Sequence, residues 1–150
     1  MKVQQLSLFL ENQPGQIVKP CRLLATEGIN IRTLSVADTK QFGILRMIVS
    51  DWERAAKLLK DAGYVVNVTE VVAIEVPDQP GGLSSLLQAL ESSPVNVEYM
   101  YSFPEGRRQT AVMIFRFDQP DAAIKLLQTA GISVVNPVEI YNRVEQAELS

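Results

Sequence analysis

Histidine is missing from this chain altogether, and cysteine occurs once, at Cys21. The first absence removes the side chain that most often serves as general base and metal ligand near neutral pH. With one thiol and no imidazole, zinc and most transition metals lack a ligand set, so no metal and no other cofactor is expected. A lone cysteine excludes an internal disulfide, which suits a reducing compartment and an expected cytoplasmic location. Excess basic charge is also missing: 14 Lys and Arg against 17 Asp and Glu leave a formal net charge of -3. A nucleic-acid partner is not expected, because phosphate contacts need clustered cations. Nor is there an apolar run long enough to cross a bilayer, so no membrane partner is expected. The opening segment, MKVQQLSLFLENQPG, alternates and ends in a turn, which reads as a strand and not as a signal peptide. What is present is ordinary for a globular protein: 47% hydrophobic and 21% charged residues in a chain of 150. That length suits one compact domain or two very small ones.

The chain repeats itself. Asn12-Gln13-Pro14-Gly15 matches Asp78-Gln79-Pro80-Gly81 at an offset of 66, and GINI at Gly28–Ile31 matches PVNV at Pro94–Val97 at the same offset. AAKLLKDAG, from Ala55, matches AIKLLQTAG, from Ala123, at an offset of 68; the slip falls where the second copy has the longer loop SFPEGRRQT. Three blocks in one order argue for a tandem duplication, and two copies are too few for a solenoid.

Each copy reads as strand, helix, strand, strand, helix, strand. In the first, VQQLSLFLE places Leu6, Leu8 and Leu10 on one face of a strand. Asn12-Gln-Pro-Gly opens a helix, with Asn12 as a candidate cap and Pro14 suited to a first turn, and Gly28 stops it. INIRTLSVA and FGILRMIVS form a hairpin turning at Thr39–Gln41, Asp51 caps a second helix, and YVVNV is the fourth strand. The second copy repeats this with EVVAIEV, GGLSSLLQALE, VNVEYMYSF, AVMIFRF, PDAAIKLLQTAG and ISVV. The expected fold is α+β: two ferredoxin-like βαββαβ units in tandem, with antiparallel sheets and helices on one face. The expected boundaries are 1–68 and 69–150. No Gly, Ser or Pro linker separates the copies, so one rigid body is expected. NPVEIYNRV, after Val135, is expected to add an extra C-terminal strand.

The two loops are the candidate site. A helix start offers free N–H groups to a carboxylate, and Gly15, Gly81 and Gly82 let a ligand approach the backbone. An ammonium group needs oxygen acceptors, which Asn12, Asp78 and loop carbonyls can supply. Asn30 and Asn96, at the start of the following strands, both donate and accept. The structural alternative is that Asn12 and Asp78 are ordinary caps and turn formers, with Asn30 and Asn96 as buried residues that hold the loop together. Elsewhere, Cys21 has the spacing of a core position with no cationic partner, and Tyr99, Tyr101 and Phe103 alternate as a sheet face or subunit contact. Pro104–Gln109 reads as a solvated hairpin tip, and Asp51 with Glu53 as first-turn helix stabilisers.

A ferredoxin-like unit with [Asp/Asn]-x-Pro-Gly after its first strand and Gly-[Ile/Val]-Asn-[Ile/Val] after its first helix resembles an ACT domain. The resemblance covers nearly the whole chain twice over, and it is to small bacterial proteins made only of two ACT units. It implies regulation: a free amino acid bound where two units meet, near the first loop and the helix it opens, with the binding reported to an enzyme. Two departures stand out. No enzyme is joined to the units, so a regulated enzyme is expected as a separate partner, and Pro94 replaces Gly28 in the second copy. The ligand-binding residues expected are Asn12, Gln13, Pro14, Gly15, Gln16, Ile17, Asn30 and Ile31, then Asp78, Gln79, Pro80, Gly81, Gly82, Leu83, Asn96 and Val97. No catalytic residue is expected, and a homodimer is. The rival functions are a module that has kept the fold and works through protein partners, and a small enzyme, against which stand the missing His and the want of a phosphate loop.

Overall fold

The computed structural model describes residues 1–38, 40–104 and 109–142. Its elements are β1 (Val3–Glu11), α1 (Val18–Thr26), β2 (Ile31–Asp38), β3 (Phe42–Val49), α2 (Trp52–Asp61), β4 (Val66–Pro77), α3 (Gly82–Gln88), β5 (Val97–Phe103), β6 (Thr110–Phe117), α4 (Pro120–Thr129) and α5 (Pro137–Tyr141). They build one antiparallel sheet of six strands in the order β2-β3-β1-β4-β6-β5.

The two copies meet inside β4. Its first half, Val66–Val71, pairs with β1, and its second half, Val72–Pro77, pairs with β6 along the opposite edge. The segments expected as two strands are therefore one, since no Gly or Pro interrupts Val66–Val76 and the backbone has no reason to leave the sheet. Ile132–Val135, expected as the last strand of the second copy, makes only a short bridge to β4, through Glu75 N to Ser133 O and Val135 N to Ala73 O. The segment expected as an extra strand begins instead as α5: Pro137 sits at the first helical position, and Asn136 caps it by accepting from Val138 N. Residues 143–150, the hairpin tip at 105–108 and Thr39 of the first hairpin turn lie outside the described residues.

All four longer helices cover one face of the sheet. Leu6, Leu8 and Leu10 of β1 and Leu45, Met47 and Val49 of β3 pack beneath Leu24, Ala55 and Leu59. Val72, Ile74 and Val76 of β4 and Phe115 and Phe117 of β6 pack beneath Leu86, Ala123 and Leu127. The alternation of β-strand side chains sends the remaining residues to the other face. There the sheet curls until its outermost strands meet: Thr33 Oγ1 of β2 donates to Ser102 O of β5 at 3.2 Å. The inner face thus closes on itself, with Val3, Ile48, Val71 and Ala73 against Phe103, Val112, Ile114 and Ile140 of α5.

This seam carries a polar network as well. Gln5 is 0% exposed; its Nε2 donates to Tyr99 Oη at 2.7 Å and its Oε1 accepts from Tyr101 Oη at 2.6 Å. Arg46 stacks over the Tyr99 ring at 3.9 Å. On the helix-bearing face, Lys2 also ties the copies, bridging Glu70 and Asp121 of α4 at 3.0 and 3.1 Å. A buried amide with both ends satisfied is costly to pull apart, so the network fixes one copy against the other. Tyr99 and Tyr101 line this inter-copy face. Among the described residues, no helix is long and apolar enough to cross a membrane.

Candidate functional site

The repeated Gln-Pro-Gly has a local explanation first. Gln16 N donates to Gln13 O, and Gly82 N to Gln79 O, closing a four-residue turn in each copy. Proline stands second in each turn and glycine third, with φ of +83° at Gly15 and +84° at Gly81. That is the type II arrangement, which needs a left-handed residue at the third position. The residue before each turn is held alike: Asn12 N donates to Gln41 O and Asp78 N to Gln109 O.

Neither Asn12 nor Asp78 caps a helix, so that expectation is corrected. The residue preceding α1 is Ile17 and that preceding α3 is Gly81, and neither end has a side-chain cap. The helices also start at different places: α3 begins at Gly82, whereas its counterpart begins at Val18, two positions beyond Gln16, the match of Gly82. Gly82 explains the difference. A Cβ on Gly82 would lie 2.0 Å from Pro77 O, so only glycine lets the helix start this close to the strand end. Gln16 carries a Cβ, and the first loop unwinds before its helix begins.

Asn30 and Asn96 do not join the loop of their own copy. β2 runs parallel to β1, so Ile31 lies in the row of Val49 while Asp38 lies beside Gly43, next to the loop end. Along a strand of eight residues this separation is about 23 Å. Both asparagines are fixed through the backbone: Asn30 N donates to Ser50 Oγ at 3.1 Å and Asn96 N to Asp118 Oδ1 at 2.8 Å, each returning its carbonyl to the same residue. The start of β2 instead approaches the end of β5, through Thr33 and Ser102. Within one chain, the first copy's Asn30 and Ile31 therefore belong to the end of the molecule where the second loop lies.

Two cavities border that second loop. One, of about 520 Å³, lies between the loop, α3 and the turn after α4; Glu75, Gln79, Gly82, Ser85, Thr110 and Ser133 contribute to its walls. The other, of about 490 Å³, is bounded by Asp78, Gln79, Pro80, Leu83, Ser102 and Met113. Both volumes fall in the usual range for small-molecule sites. No lysine or arginine lines either one among the described residues. Thr110 Oγ1 is buried and without a hydrogen-bond partner among the described residues. Glu75, Ser85, Ser102 and Thr110 were not anticipated from the motifs. Glu75 did carry a signal, as the one charged residue inside the apolar run VVAIEV. Cys21 is half-buried, and desolvation pushes its thiol above the ordinary range, as for an inert side chain.

A duplicated ferredoxin-like unit with a type II turn after each first strand defines a class, and comparison with known proteins names it. The family model described as an ACT domain pair matches residues 1–144, and the chain belongs to that family. The crystal structure of protein BT0572 from Bacteroides thetaiotaomicron is 39% identical, with a TM-score of 0.88 over 94% of this chain and 96% of that one. The ligand-free regulatory subunit of aspartate kinase from Thermus thermophilus shares the fold, at 18% identity and a TM-score of 0.62 over 85% of this chain and 91% of that one. Aspartate kinase from Synechocystis matches over 91% of this chain but 28% of its own length, at 20% identity and a TM-score of 0.57. No curated protein matches the chain in sequence.

Proposed function

We propose that this ACT domain pair is a regulatory sensor of a free amino acid and not an enzyme, acting in the cytoplasm on a separate enzyme and working as a homodimer. The observation that carries the reading is the pair of cavities flanking Asp78–Leu83. Their walls offer what a zwitterion needs: carboxylates for its ammonium group, hydroxyls that accept or donate, and glycines that let it reach the backbone. The names of the aspartate kinase regulatory subunits are consistent with it. The full set of loop residues, Asn12–Ile17 with Asn30 and Ile31, and Asp78–Leu83 with Asn96 and Val97, remains the wider candidate set, drawn together across copies or across chains. Ligand shifts the balance between two packings only as far as it binds one of them better. Calorimetric titration with each standard amino acid tests the reading; heat from at least one at millimolar or lower concentration is expected, and none from any would defeat it.

A second reading has its own support. Phe9 and Phe42, on the inner face of the first copy, are 45% and 53% exposed, beside Val65 at 62%. An apolar patch left open where the seam ends suits a protein partner. A partner bound at this patch with no effect of any amino acid would favour a purely structural module.

A further inference from the structure

We infer that the open end of the first copy's inner face is a self-association surface, which takes a second copy of this chain about a two-fold axis. The contact rests on the homodimer reading above and gives that dimer a face. Strand pairing lays Val65, Phe9, Ile44 and Ala37 side by side across four strands, on the face turned away from the helices. Phe9 stands opposite Ile44, Ile44 stands opposite Ala37, and Phe9 N donates to Val65 O, one step beyond the Leu8–Val66 pair. At the usual spacing of strands this row is about 14 Å long. Phe42, two residues from Ile44 on the same strand, widens it. Phe9, Phe42, Val65 and Ala37 are exposed and Ile44 is half-buried. The row continues the inner face that already packs the two copies together through Val3, Ile48 and Val71. Covering such an apolar stripe is favourable, and its polar rim marks it as a contact surface.

The charges beside the stripe select the partner. About 7 Å to one side, two residues along the strands, lies a row of Asn67, Ser7, Arg46 and Ser35. On the other side lie Glu11 and Phe42. Arg46, held in place by its stacking on Tyr99, and Glu11 thus flank the stripe on opposite sides. A two-fold axis running along the stripe sets Phe9 against the partner's Phe9 and exchanges the flanks. The Glu11 row of each chain then lies over the Arg46 row of the other, so opposite charges meet twice by symmetry. An unrelated protein would have to bring this charge pattern, whereas a second copy already has it. The stripe occurs once per chain. Pro77 pairs with Thr110 as Glu11 pairs with Phe42, and at the positions matching Phe9 and Phe42 the second copy has Glu75 and Thr110. One self-complementary patch per chain closes at a dimer.

Sedimentation equilibrium of the full chain over a range of concentrations is the test. A monomer–dimer equilibrium with no larger species is expected. Phe9→Ser combined with Phe42→Ser should weaken it roughly a hundredfold, the scale of losing two aromatic anchors from an interface centre, with the far-UV circular dichroism unchanged. Glu11→Lys and Arg46→Glu should each weaken association alone. An equimolar mixture of these two variants should associate again, because every charged contact across the axis then joins opposite signs. A dimer of unchanged strength in the double Phe variant, or a mixture of the two folded charge variants no tighter than its components, overturns the inference and leaves the homodimer reading standing on another face. A wild-type chain that stays monomeric at every concentration overturns both, even where another protein covers the patch, and leaves amino-acid sensing standing.

Discussion

Gly15 and Gly81 adopt the same backbone angle to within a degree, inside the same hydrogen-bonded turn, yet the residue that follows is Gln16 in one copy and Gly82 in the other. From that point the copies diverge. In the second, the helix starts at once, a cavity forms behind it, and Glu75 and Thr110 are among the residues of its wall. In the first, the loop runs on to Val18, and the matching wall positions are Phe9 and Phe42, open to solvent. The inner faces differ in the same sense: α5 places Ile140 over the second copy's Phe103 and Val112, while the first copy's Phe9 and Phe42 stay exposed. A shared turn is thus no proof of a shared site. The turn conserves chain direction, and the residues beneath it decide what can be held.

The comparison breaks or sharpens under mutation. Leu59 and Leu127 occupy matched, fully buried positions under α2 and α4. Replacing either by Ala should cost about 3 kcal/mol, and both variants should melt in a single transition, because the inner core and the Gln5 network join the copies. Two separate transitions by calorimetry would show that the halves fold independently. Gly82→Ala comes next. Its Cβ would meet a backbone carbonyl, so a loss of about 2 kcal/mol is expected in denaturant unfolding, against a change within about 0.5 kcal/mol for Gln16→Ala.

Gln5→Leu strands two tyrosine hydroxyls in the seam and should cost roughly 1–3 kcal/mol. The seam also carries a pH signature. Burial, with Tyr99 adding to it and Arg46 opposing, holds the Tyr101 hydroxyl well above its ordinary value of 10.0. A raised folded-state value means that the stabilisation is fully present below pH 10 and is lost as pH rises from there toward the folded value. Unfolding curves between pH 9 and 11 should therefore show wild type losing stability more steeply than Tyr101→Phe. The smallest effect belongs to a contact of one copy only. Arg54 bonds the side chain and the carbonyl of Glu27, at 2.7 and 3.0 Å, and its counterpart in the second copy is Ala122. The pair is exposed, so Arg54→Ala should cost less than about 1 kcal/mol.

Much of this was legible in the chain itself. The duplication, the alternating leucines of β1, the Asp51 cap and the Pro-Gly turn are local patterns, written within a few residues by strand and helix periods and by glycine's tolerance of positive φ. Other features depended on contacts between distant residues. The fusion of two expected strands into β4, the reduction of Ile132–Val135 to a bridge and the folding of Pro137–Tyr141 into a helix all turn on where neighbouring strands end. The candidate cavity is of that second kind. Glu75 and Thr110 sit far apart in sequence and come to one wall only because β4 pairs with β6 in this register. Period and turn chemistry are properties of short segments, so the sequence alone determined the units and their repetition. Registry, curl and enclosed volume belong to the packed chain, so only the tertiary structure decided that the Asp78–Leu83 loop lies between two cavities.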